Sequence, residues 1–359
     1  MLKRNRKWVI LVTMAVVIKI FSFFPDAVER YYSTGIYPLS SRVLRFLFGW
    51  IPFSIGDIFY ALLAVWLVVK IVLFIGKFLD KRLIRPYLIY LFHRVIWYCL
   101  LVYVVFNLFW GLNYNRRGIM YQLQLKTAPY STDELRTVLE VVADRLNELD
   151  SSAHVHRAPL ASKKFLFRAS VAAYNNLAGK DNTFSYRTAS VKPSIYSYLG
   201  NYLGFSGYYN PFSGEAQVNT TVPLFIQPFT TCHEIGHQLG YAKEDEANFA
   251  GYLSAKSSDN PAFRYSVYFD LYTYAAGELY MRDSASFKQI RDRLHPGIRK
   301  DYKELREFFS KYENPFEPYL RRMYGRCLRA NEQPHGMMSY NDVTGRLVAY
   351  YKKYGKEAL

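Results

Sequence analysis

Cysteine is scarce, acid is outnumbered by base, and no segment repeats. Three cysteines in 359 residues leave at most one disulfide and an odd thiol. Cys99 falls in an apolar run and reads as a small apolar residue there. Cys232 and Cys327 could pair in an oxidising compartment, and the sequence does not decide whether they do. The lack of repeats and low-complexity tracts argues against solenoid architectures. Lys and Arg number 46 against 29 Asp and Glu, a net charge of +17. No binding motif or basic-aromatic stripe accompanies that charge, so nucleic acid is not expected as a partner.

The basic excess is uneven. Residues 1–112 hold 14 Lys/Arg against 4 Asp/Glu, and the remainder 32 against 25. The densest clusters flank apolar runs, the pattern of a membrane protein. Three spans are predicted, at residues 8–24, 55–79 and 87–112, each long enough for a hydrocarbon core of ~30 Å, the first only just. No convincing small-residue cleavage site follows the first, so it reads as an anchor and not a signal peptide. Lys19, Lys70 and Arg94 lie near span ends or can snorkel, so a transport role is not expected. Residues 36–50, with Leu39, Val43, Leu44, Phe46 and Leu47 beside Arg42 and Arg45, predict an amphipathic helix lying on the membrane surface. Lys3, Arg4, Arg6 and Lys7 precede span one, and Lys77, Lys81, Arg82 and Arg85 separate spans two and three. Both clusters should stay cytoplasmic. Residues 1–112 are then a membrane anchor in the cytoplasmic (inner) membrane, and residues 113–359 an extracytoplasmic, periplasmic domain.

One stretch carries chemistry. His233-Glu234-Ile235-Gly236-His237 places two imidazoles four residues apart, on one face of a helix. Two neutral nitrogens can grip one Zn²⁺, and Glu234 can take the proton of an attacking water. Pro228 suits the first helical turn, with a Thr to cap it. Gly240 is a natural stop. A second helix is predicted from near Glu244, acidic at its start and apolar at helical spacing. Its first turn should return to the metal and supply the third ligand. Glu246 shares a face with Phe249, Ala250 and Leu253 and is favoured; Glu244 is the alternative. Cys232 is one residue off the His face and is not expected to bind metal.

These residues resemble the zincin metallopeptidases of the gluzincin type, and Glu246-Ala247-Asn248-Phe249-Ala250 is similar to the segment that carries their third ligand. A metzincin would need a His where this chain has Lys243. More closely, the chain resembles an uncharacterised family of bacterial membrane proteins with three N-terminal spans and an HExxH domain. Matching segments are Gly207 to Ala216, the metal segment, and Leu328 through Gly336 to Tyr340. The resemblance implies a zincin-like, gluzincin-type fold, and zincins commonly stabilise the oxyanion with a downstream Tyr or His. It singles out Tyr340 for that role, with His335 as rival.

The predicted fold class is α+β, mainly helical, with a small sheet ahead of the HExxH helix. Ser131 and Glu134 form a capping box at the start of a helix carrying Leu135, Val138, Leu139, Val142, Leu146 and Leu149. A helix is expected over Lys163 to Leu177, then short strands from Ser194 to Val222 around a turn at Pro211 to Gly214. Helices return after Pro261. Ala216, Gln217 and Val218 alternate as a half-buried strand would, and are expected to bind substrate if that strand has an open edge. His154 and His156 read as solvated loop residues rather than a second metal site.

The expected activity is that of a membrane-anchored zinc peptidase, a hydrolase of a peptide or protein substrate, with His233, His237 and Glu246 on the metal and Glu234 as base. Alternatives are a membrane-tethered binding or assembly module with a structural zinc, or an amidase acting on cell-wall peptides. Glu234 would be useless to a structural clip.

Overall fold

Two long apolar helices leave almost none of their surface covered by the rest of the protein. The computed structural model describes residues 2–80, 84–126, 128–331, 333 and 342–359. Helix α1 (Leu2–Ser22) turns through α2 (Pro25–Ala27) into a π-helical stretch, Val28–Ile36, and then α3 (Tyr37–Phe48). The bare helices follow, α4 (Ile55–Leu79) and α5 (Arg85–Phe109). Both are long and apolar enough to cross a membrane. A third crossing exists if α1 and the helix after it, bent by 100° between them, count as one. This association with a membrane follows from length and apolarity alone. The third span ends three residues before its expected limit, because Trp110 leaves the helical conformation.

The surface helix expected at residues 36–50 is α3, and only one of its faces is free. Tyr37, Ser41 and Arg45 recur every four residues and are buried against the protein. Leu39, Val43, Phe46 and Leu47 are exposed on the other side.

The remaining helices are α6 (Gly118–Gln122), α7 (Thr132–Val155), α8 (Lys163–Ala178), α9 (Ser197–Leu203), α10 (Gln227–Gln238), α11 (Glu244–Lys256), α12 (Pro261–Arg282), α13 (Ser284–Asp292), α14 (Pro296–Ser310), α15 (Glu317–Ala330) and α16 (Asp342–Tyr354). The capping box of Ser131 and Glu134 starts α7 as its sequence predicts. Leu135, Val138, Leu139, Val142 and Leu146 are fully buried in the main core, which α12 shares through Phe263, Val267, Leu271 and Leu279. His154 and His156 end α7 and are not in a loop. The ring of His154 is taken up by Asp150 and Asp301.

Three short strands form the only sheet among the described residues: β1 (Val191–Pro193), β2 (Gly207–Asn210) and β3 (Glu215–Val218). The order is β1-β3-β2, with β1 parallel and β2 antiparallel to β3. This corrects the open-edge expectation for Ala216, Gln217 and Val218. They lie on the central strand, paired on both sides, and all three are fully buried. Their alternation reflects a covered strand, since short apolar-polar runs do not reveal which strand takes the edge. The edge next to α10 is β2.

Packing crosses the expected boundary near residue 113. A second core joins Leu11, Ile18, Tyr32 and Tyr37 to Trp110, Leu112 and Ala242. Glu29 and Arg116 form a buried bidentate pair at 2.7 and 3.0 Å. Glu215, on β3, accepts hydrogen bonds from the backbone N–H groups of Ile55 and Gly56 at 3.2 and 2.7 Å. A carboxylate therefore sits on the positive end of the spanning helix α4, satisfying donors that have no partner within the helix.

Candidate metal centre and cleft

The HExxH helix is held at both ends by sequence signals. Pro228 occupies its first turn. Ile226 takes the N-cap position without a side-chain hydrogen bond, so no Thr caps the helix as expected. Gly240 follows with φ +88°, a left-handed turn that a β-carbon would disfavour. The reversal delivers α11 at once, with Lys243 as its N-cap and Glu244 as its first residue. The two helices approach closely: a β-carbon at Gly251 would stand 3.0 Å from the backbone nitrogen of His233.

His233 and His237 face each other with ring centroids 4.7 Å apart and planes at 89°. Each Nδ1 is already engaged, that of His233 with Asn248 Oδ1 and that of His237 with the carbonyl of Tyr241, both at 2.7 Å. Each Nε2 is thereby turned toward one point, as the outer hydrogen-bond partners of metal-binding imidazoles do. At that point lies Glu244, whose Oε2 is 3.3 Å from His233 Nε2 and 3.7 Å from His237 Nε2. The ligand atoms of His233, Glu234 and His237 also lie within 4.8 Å of one another. Two imidazole nitrogens and a carboxylate form a donor set suited to a divalent transition metal.

The carboxylate brought to the imidazoles is Glu244, and the favoured Glu246 is placed elsewhere. Glu246 packs against Gly118, where an added β-carbon would overlap its Oε1, and it feels the charges of Arg346 and Arg116. The reason is rotational. Residues four apart share a helix face, so Glu244 lies on the stripe of Asn248, the residue that holds His233. Glu246 shares the face of Phe249 and Ala250, and that face meets the core, not the site. Asp245 is bound to Arg346.

Glu234 is buried, and its Oε2 has no hydrogen-bond partner. Gly207 of β2 lies so close that a β-carbon there would stand 2.6 Å from Glu234 Oε1. Burial pushes the Glu234 carboxyl up to about 7, against the pull of His233 and His237. Burial also opposes charge on His233, yet Glu244 and Glu234 outweigh it and raise its pKa to about 9. Glu244 is raised by burial but lowered more by both imidazoles, and ends well below the usual carboxylate range. His233 and Glu244 thus favour each other's charged forms.

These side chains open onto a cleft of about 780 Å³. Its aromatic walls include Tyr60 of α4, Trp110 and Tyr114 after α5, Tyr208 and Tyr209 of β2, and Tyr274 and Tyr324. Four carboxylates face it, Glu234, Glu244, Asp270 and Glu317, and among the described lining residues there is no Lys or Arg. In a chain of +17 that exclusion is a local choice. Asp270 Oδ2 has no hydrogen-bond partner, and burial pushes its carboxyl up to about 7. The hydroxyl of Tyr324 donates to Glu244 Oε1 at 2.8 Å. Tyr340 and His335, expected at the oxyanion, lie outside the described residues, as does the side chain of Cys327. Cys232 is a buried free thiol beside Ser254 and not a member of the site.

Several residues of the site gave little signal in sequence. Asn248 was missed, although its place four residues after Glu244 puts both on one helix face. Trp110, Asp270 and Tyr324 come from distant helices, and nothing in their local sequence marks them.

The chain belongs to the family described as "Protein of unknown function (DUF3810)", which matches residues 32–348. The match takes in α3 to α5 and the whole metal segment. No curated protein and no solved structure matches the chain.

Proposed function

We propose that this protein is a membrane-anchored zinc peptidase with its cleft on the extracytoplasmic side of the inner membrane. The observation that carries the reading is the convergence of His233 Nε2, His237 Nε2 and Glu244 beside a buried Glu234 with an unpartnered oxygen. That orphan oxygen fits a group awaiting a proton from water, and it has no use in a structural clip.

His233, His237 and Glu244 would hold Zn²⁺. When bound, the metal supplies Lewis acidity, making water a nucleophile near neutral pH and taking up oxyanion charge. Glu234 takes the proton of the attacking water and delivers it to the leaving amine. Its place beside both imidazoles, with Oε2 unpartnered, supports this role. Asn248 and the Tyr241 carbonyl fix the two imidazoles through Nδ1. Tyr324 orients Glu244 through its hydroxyl. The substrate chain would lie along β2, whose Gly207 gives the backbone close passage to Glu234. The zincin-like, gluzincin-type assignment rests on this ligand order and on the resemblance of the metal segment.

The basic clusters at both cytoplasmic turns support three crossings and an outward-facing cleft. The deciding experiment uses the full chain in lipid nanodiscs: zinc content by mass spectrometry, and cleavage of a peptide library by wild type and Glu234→Gln. Zinc in both and cleavage by the wild type alone is expected. Equal cleavage by both, or no zinc in the wild type, overturns the reading.

A further inference from the structure

The cleft is built partly from the spanning helices, and its mouth carries an uncovered apolar rim. Tyr60, on the second turn of α4, lines the cleft together with Trp110 at the end of α5. Helix α9 is fastened at the same level. Asp57, on the first turn of α4, accepts from the backbone N–H of Ile195 at 2.7 Å, and the hydroxyl of Tyr196 donates to the Asp57 carbonyl at 2.8 Å. Tyr196 then lines the cleft, while its neighbours Ile195, Tyr198 and Leu199 are exposed, Tyr198 by 70%. The rim continues onto α15. Asn314 bonds the carbonyl of Tyr202 at 2.8 Å, and Tyr319 nearby is 68% exposed.

A patch of this kind on a protein in water would be a liability. Here it is continuous, through Asp57, with the bare apolar surface of α4. Tyrosines at the end of a span are the composition of the membrane–water interface. We infer that the rim formed by α9 and the start of α15 lies in the headgroup layer, and that the cleft therefore takes polypeptides anchored in the same bilayer, at a bond within a few residues of their anchor. The substrate class rests on the peptidase reading; the position of the rim does not.

Two measurements on the full chain in nanodiscs separate these claims. A nitroxide at Leu199→Cys, in a background carrying Cys99→Ala and Cys327→Ala, is compared with one in the span at Val65→Cys and one in solvent at Lys303→Cys. The ratio of collisions with oxygen to those with a water-soluble nickel chelate should fall between the span and solvent positions; a value equal to that at Lys303→Cys overturns the placement of the rim. The zinc-loaded protein is then given one cleavable sequence in three forms: free, roughly five residues from a transmembrane anchor, and roughly thirty residues from it. Turnover of the near form should exceed that of both others by about tenfold or more. The far form controls for surface concentration, so equal rates for near and far overturn the substrate class. No turnover of any form overturns the peptidase reading and the substrate class with it, while the nitroxide result still decides the rim.

Discussion

Glu244 and Asn248 stand one turn apart on α11 and hold the same imidazole from its two ends. Glu244 Oε2 lies 3.3 Å from His233 Nε2, and Asn248 Oδ1 lies 2.7 Å from His233 Nδ1. The ring is clamped by a single helix face.

Metal content should follow it. Glu244→Ala is expected to lose zinc as His233→Ala and His237→Ala do, whereas Glu246→Ala keeps it. Asn248→Ala should bind zinc about 10–100-fold more weakly, as loss of an imidazole's outer partner does. Competition against a zinc chelator reads all five. Retention by Glu244→Ala with loss in Glu246→Ala would reverse the assignment.

Glu234→Gln should lower peptide turnover by roughly 10²–10⁴-fold, the usual contribution of a general base, with zinc content unchanged.

The pair Glu29–Arg116 gives an acid limb to stability. Burial raises the Glu29 carboxyl, but Arg116 outweighs burial through hydrogen bonds and charge, so its folded pKa is below the ordinary 4.5. The stabilisation is therefore fully present above pH 4.5 and lost as pH falls through the lower folded value. Arg116→Met should cost roughly 3–5 kcal/mol, since it strands a buried carboxylate. Glu29→Gln should flatten the acid limb. Melting curves of the nanodisc-held protein between neutral pH and pH 3 check both.

A reporter active only outside the cytoplasm, fused after Leu359, should be active. A cytoplasmic reporter at the same place should be silent. The opposite pattern would invert the topology and remove the extracytoplasmic substrate class.

The sequence was most legible where spacing determines structure. HExxH, the Gly240 stop and the helix start at Glu244 all follow from local rules, as does the capping box of Ser131 and Glu134. The preference for Glu246 equated an apolar face with the face toward the imidazoles, whereas on α11 the stripe through Phe249 and Ala250 turns to the core and Glu244 meets His233 and His237. Strand order was not legible either: Ala216 and Val218 alternate whether their strand lies at the centre or the edge. Trp110, Asp270 and Tyr324 reach the cleft through long-range packing, which no local pattern encodes.

The last carbonyls of the metal helix have their partners in the membrane-proximal segments. Tyr37 and Ser41 donate to the carbonyl of Gln238 at 3.1 Å, Arg45 to the same carbonyl at 3.1 Å, Trp110 to that of His237 at 3.3 Å, and Arg116 to that of Gly240 at 3.0 Å. Buried carbonyls left without such partners are costly. The helix that carries His233 and His237 is thus completed by side chains from beside the spans, so its end and the membrane-proximal segments fold as one unit.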